Sequence, residues 1–112
     1  MRIEVRFRGI EAPDALREHV VRRLHFRLSR FHGKVGSVVV GIGDINGPKG
    51  GVDKRCHVMA RGPAFAPVMI EQLSADPYSA VDLAFERAAR AVGRQLARAR
   101  TAPRAGANGR AS

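Results

Sequence analysis

The sequence predicts an α+β domain in which one four-stranded sheet carries two helices packed on one face, in the order β-α-β-β-β-α. Three observations lead there. Residues 2–8 alternate charged and apolar side chains with a period of two. Two longer stretches, one after that strand and one towards the end, repeat apolar residues every three or four positions, the spacing of a helix face. Between them lie three runs rich in β-branched or alternating residues, separated by glycine and proline. With 112 residues, 45% of them apolar, the chain has the material for one packed core.

In the first strand Ile3, Val5 and Phe7 face one way and Arg2, Glu4, Arg6 and Arg8 the other, and Gly9 ends it. Pro13 suits the first position of a helix and Asp14 complements the helix dipole, although Ala12 is a poor cap. Leu16, Val20, Leu24, Leu28 and Phe31 then form one apolar stripe, which predicts a helix over 13–31 stopped by Gly33. A second strand is expected over 35–45, with Val38, Val39, Val40 and Ile42. The run 46–51, Asn-Gly-Pro-Lys-Gly-Gly, reads as a turn. The third strand, 52–61, places Cys56, Val58 and Ala60 on one face and Arg55, His57, Met59 and Arg61 on the other. A short fourth strand is expected over 68–73, with Pro67 at its start marking an edge. Asp76-Pro77 is a helix-start signal. Ala80, Val81, Ala84, Phe85, Ala88, Val92 and Leu96 give the apolar face of a second helix reaching about residue 100. Residues 1–100 are thus expected to form the domain, and 101–112 a disordered basic tail.

Composition narrows the function. Lysine and arginine total 20 against 10 acids, a formal charge of +10, and seventeen of the 20 are arginine. Such a balance points to a polyanionic partner. No apolar stretch is long enough to span a bilayer, and the alternating N-terminus does not read as a secretory leader. The single cysteine, Cys56, excludes an intramolecular disulfide framework and fits a reducing, cytoplasmic setting. With no Trp, one Tyr and five Phe, a broad aromatic stacking platform is not expected.

The distribution of charge is more informative than its sum. On the first helix Arg23, Arg27 and Arg30 flank the apolar stripe. On the second, Arg87, Arg90, Arg94 and Arg98 follow at spacings of three, four and four. A solvated helix face normally interleaves acids with its bases. Here Asp82 and Glu86 are the only acids on the second helix, and seven arginines but no acid follow from Arg87 onward. A self-repelling arginine row is relieved by a polyanion, and guanidinium groups suit bidentate phosphate contacts. With the helices side by side, the two rows are expected to converge on a basic groove.

Other chemistry finds no support. The segment 49–55, Lys-Gly-Gly-Val-Asp-Lys-Arg, lacks the glycine before and the Ser or Thr after its lysine that a phosphate loop needs, and it joins two strands. His19, His25, His32, His57 and Cys56 show no ligand spacing, so no metal and no cofactor are expected. No catalytic constellation is visible, and the chain is read as a non-enzyme without a small-molecule substrate.

Several segments carry a resemblance. Residues 13–20, Pro-Asp-Ala-Leu-Arg-Glu-His-Val, followed by Arg23-Leu24, resemble the first helix of the ribosome hibernation promoting factors. That family includes the ribosome-associated inhibitor A proteins and is also called the sigma modulation proteins. Residues 76–82, Asp-Pro-Tyr-Ser-Ala-Val-Asp, resemble its Asp-x-Tyr-x-Ala-Ile-Asp signature, and 44–56 resemble the strand and turn of one sub-branch. The resemblance spans about residues 1–100, as in a short form without the further dimerisation domain of long members. It implies a double-stranded-RNA-binding-like fold in a bacterial, cytoplasmic protein of the stress response. Such a protein binds the small ribosomal subunit and its ribosomal RNA, in the channel for tRNA and mRNA, and inhibits translation. Arg23, Arg87, Arg90 and Arg94 match the family's basic positions. Tyr78 matches its tyrosine, which is read either as RNA-facing or as a residue locking the second helix to the sheet. The alternative is a free-standing RNA- or DNA-binding regulator using the same basic face. The RNA-binding candidates are therefore Arg23, Arg27, Arg30, Arg87, Arg90, Arg94, Arg98 and Tyr78.

Overall fold

The computed structural model describes residues 1–10, 13–45 and 52–101. Its elements are β1 (Arg2–Arg8), α1 (Pro13–Leu28), a 3-10 turn (Ser29–Phe31), β2 (Ser37–Asp44), β3 (Lys54–Gly62), β4 (Phe65–Ser74) and α2 (Pro77–Thr101). The expected turn over 46–51 lies outside the described residues, as does the tail expected over 101–112 except for Thr101, which ends α2. The sheet runs β1-β2-β3-β4. β1 and β2 are parallel, which requires a crossover, and α1 supplies it. β2, β3 and β4 form an antiparallel meander.

Every strand turns one face to the helices. Val38, Val40 and Ile42 of β2, Cys56, Val58 and Ala60 of β3, and Val68 of β4 are buried together with Leu16, Val20, Leu24 and Leu28 of α1. Ala80, Val81, Ala84, Phe85, Ala88 and Val92 of α2 complete the layer, with Ile3, Val5 and Phe7 of β1 at its margin. Burying each large side chain here contributes about 1.5–3 kcal/mol. Cys56 packs as a small hydrophobe, and burial pushes its thiol up to about 12.

The ends of the elements follow local chemistry. Asp76 caps α2: its carboxylate accepts from the Tyr78 and Ser79 amides at 3.4 and 3.3 Å and from the Ser79 hydroxyl at 3.1 Å. Gly33 takes a positive φ of 85°, as the expected stop for the first helix. That helix departs from expectation in its last turn. The α-helix ends at Leu28 and a 3-10 turn carries the chain to Phe31. The Lys34 and Val35 amides then both donate to the Phe31 carbonyl, so Val35 is buried without joining β2.

Two strands also shift. β4 begins at Phe65, and Pro67 lies inside it. Pairing with β3 is irregular between Ala60 and Gly62, and β4 is an edge, so a missing N–H there breaks no ladder. β3 starts at Lys54, just after the buried Asp53, instead of at residue 52. Lys54 Nζ donates to Asp53 Oδ1 at 2.7 Å and lies 3.5 Å from Asp44 Oδ2, tying the end of β2 to the start of β3. The hydrogen bond to Asp53 is the main reason the Lys54 ammonium is held above its ordinary pKa.

Candidate nucleic-acid interface

α1 and α2 lie side by side on the sheet. Near the start of α2, Asp82 Oδ1 lies 2.7 Å from His19 Nε2 and 3.2 Å from Arg23 Nε. One carboxylate thus holds two side chains of α1, and Arg23 is spent on joining the helices. The His19 ring meets Tyr78 edge-on, with centroids 4.9 Å apart. Tyr78 is half-buried and packs on the rim of the core, beside His19 of α1.

Further along the helix pair the side chains open into a groove of about 350 Å³, lined by Phe26, Arg27, Arg30, Glu86, Ala89 and Arg90. Three cations, one from α1, one from the 3-10 turn that follows it and one from α2, therefore surround one depression that contains a single carboxylate. Arg90 lies 3.0 Å from Glu86, one helical turn earlier. An exposed pair of this kind is worth about 0.3–0.5 kcal/mol, little enough to give way to a phosphate. The Arg27 guanidinium carbon stands 5.5 Å from the Phe26 ring centroid, and that of Arg30 stands 4.7 Å from the Phe31 ring centroid. These aromatic faces hold the guanidiniums without neutralising them. Phe26, 70% exposed, escaped the sequence reading; the available signal was an aromatic residue beside Arg27, off the apolar stripe.

The arginine row of α2 divides. Arg87 donates to the Glu71 carbonyl at 2.8 Å and to Gln72 Oε1 at 2.9 Å, so its guanidinium is fastened to β4. At about 100° per residue, Arg87 and Arg90 differ by about 60° around the helix, enough to send one to the sheet edge and the other to the groove. Arg94 and Arg98 are exposed on the later turns of α2. Of the eight candidates, then, Arg27, Arg30 and Arg90 come together, while Arg23, Arg87 and Tyr78 serve contacts within the protein. Among the described residues no group of three His, Cys, Asp or Glu is placed to hold a metal, and no helix is long and apolar enough to cross a membrane.

Comparison with known proteins agrees with this architecture. A ribosomal subunit interface protein from Coxiella burnetii superposes with a TM-score of 0.73 at 20% identity, covering 87% of this chain and 99% of that one. The N-terminal domain of Protein Y from Thermus thermophilus gives a TM-score of 0.68 at 28% identity, covering 84% and 98%. No curated protein matches. Residues 3–100 match the family described as sigma 54 modulation protein / S30EA ribosomal protein, and that match takes in the sheet and both helices but for one residue at each end, together with the groove. The chain belongs to the sigma 54 modulation protein / S30EA ribosomal protein family.

Proposed function

We propose that this protein is a ribosome hibernation factor that binds small-subunit ribosomal RNA in the tRNA and mRNA channel and silences translation by occupying it. The observation that carries the reading is the convergence of Arg27, Arg30 and Arg90 on one groove between α1 and α2. Membership of the family, the +10 charge and the likeness to a ribosomal subunit interface protein support the same partner. The action is steric, in the cytoplasm, and involves no bond making. Guanidinium contacts to phosphates position such a protein, and RNA shape selects the place. Arg94 and Arg98 extend the cationic surface along α2. Tyr78, Arg23 and Asp82 hold the two helices in register, so they act on the groove through its geometry.

The test is cosedimentation with purified small subunits on a sucrose gradient. The parent is expected to travel with the subunit and to be displaced by added tRNA and mRNA. Replacing Arg27, Arg30 and Arg90 with Glu is expected to abolish comigration with the melting temperature nearly unchanged. Comigration of that variant at the parent's level refutes the groove. Binding of free RNA or DNA with no comigration of the parent would replace the ribosome by another nucleic-acid target.

A further inference from the structure

The sheet face turned away from the helices carries its own charge pattern. Strand register puts Arg6 and His57 on either side of Gly41, and Arg8 and Arg55 on either side of Gly43. The two glycines are two residues apart on β2 and share this face; the His57 ring lies across Gly41, while the backbone at Gly43 is open. Arg6, Arg8 and Arg55 then stand around the open backbone at Gly43, with the His57 imidazole closing the Gly41 end, and the result is a trough of about 390 Å³. Its walls are two strand spacings apart, roughly 9.6 Å. The open stretch at Gly43 lies within that span, between Arg8 and Arg55.

The charge is complementary to such a strand. This face bears Arg2, Arg6, Arg8, Arg55 and Arg61 against Glu4 and Glu71. Glu4 pairs with Arg6, and Glu71 lies 3.1 Å from Arg55; both pairs are exposed and easily exchanged for phosphate. Asp44, at one end of the trough, is neutralised by Lys54. Next to the trough, Met59 pairs across strands with Met69, which is 71% exposed, an apolar shelf on which a base can rest.

We propose that this trough is a second RNA-binding site, which takes the sugar-phosphate backbone of one unpaired strand while the helices hold another part of the RNA. The choice of RNA rests on the function proposed above; the site itself rests on the register and charge of the sheet. The protein would then grip RNA on both of its broad faces.

Gly43 provides a test that leaves the charge untouched. A Cβ added there meets only the Arg8 carbonyl at 3.5 Å and Arg8 Cβ at 3.8 Å, ordinary contacts, so Gly43→Val is expected to fold and to fill the floor. The probe is an oligouridylate of about twelve nucleotides, within the usual span of single-strand sites. Binding is followed by fluorescence anisotropy at several salt concentrations, and folding by melting temperature. Gly43→Val is expected to weaken binding about tenfold or more. Replacing Arg6, Arg8 and Arg55 with Gln is expected to lower the slope of log K against log salt by about 2, at about 0.7 per single-strand contact. In the parent, oligouridylate is expected to shift the Gly41 and Gly43 amide resonances.

Parent-like binding by a folded Gly43→Val variant, with those two amides unmoved, overturns the trough. Binding of acidic lipid vesicles with none of oligouridylate overturns it as well. Failure of the helix groove is read separately, in cosedimentation of the variant lacking Arg27, Arg30 and Arg90.

Discussion

The single cysteine allows the core to be probed by pH. Cys56 is fully buried between β3 and the helices, and burial alone raises its thiol from 9.0 to about 12. In the unfolded chain the thiol ionises near its ordinary value. Between about pH 9 and 12 the folded state therefore holds a proton that the unfolded state has released, and stability falls as pH rises. Linkage gives a loss on the order of 1 kcal/mol at pH 10 and about 3 kcal/mol at pH 11, towards a limit of about 4 kcal/mol. Lys54, also held above its ordinary value, loses stability in the same direction at still higher pH. That contribution is shared by a Cys56→Ala variant and cancels in the difference between the two proteins. At pH 7.5 the variant is expected to be about 1–2 kcal/mol less stable, because it leaves a small cavity. The two proteins should then cross near pH 10, where the parent's loss matches that deficit. Urea unfolding followed by circular dichroism from pH 7.5 to 11 measures both curves. Parallel curves across that range would refute the account of Cys56 as a buried, protonated thiol.

Other outcomes follow from the same structure. Gly93→Ala is expected to stabilise α2 by about 0.5–1 kcal/mol, since an added Cβ meets Phe31 Cζ at 3.6 Å, an ordinary contact. A lower melting temperature in that variant would contradict the packing. Asp76→Ala removes the cap of α2 and should lower stability by about 1 kcal/mol, with faster hydrogen exchange at the Tyr78 and Ser79 amides. Replacing Arg27, Arg30 and Arg90 with Gln should lower the salt slope of small-subunit binding by roughly 2–3, at 0.7–0.9 per phosphate contact. Arg87→Gln should change that slope less, because its guanidinium is already engaged by β4.

Most of the fold was legible because local pattern and tertiary packing agree. The alternation of Ile3, Val5 and Phe7, the Asp76 cap and the positive φ at Gly33 are each dictated by a few neighbouring residues. Legibility was lost where two local solutions share one pattern. A step of three from Leu28 to Phe31 suits both an α-helix and a 3-10 turn, and the sequence spacing alone does not separate them. Pro67 marked an edge correctly but not the start of β4, since an irregular register lets the strand begin two residues earlier.

The candidate site was legible as composition and only partly as geometry. The arginine rows are visible in the sequence, and Arg27, Arg30 and Arg90 do meet. The destinations of Arg23 and Arg87 depend on Asp82, Glu71 and Gln72, partners that only the packed helices and sheet bring near. The trough on the sheet was hidden for a related reason. Gly43 becomes an open floor between Arg8 and Arg55, and Gly41 the bed of the His57 ring, only when the registers of β1 and β3 against β2 are known.

The outermost strands bear on how the protein behaves when it is abundant. A short sheet with two free borders ordinarily invites the backbone of another molecule to continue the ladder. Along β4 that invitation is withdrawn at Pro67, which has no amide to offer. Along β1 a newcomer would have to lay its side chains beside Arg2, Arg6 and Arg8. Both borders of the sheet are therefore guarded against edge-to-edge pairing with a second copy of the chain.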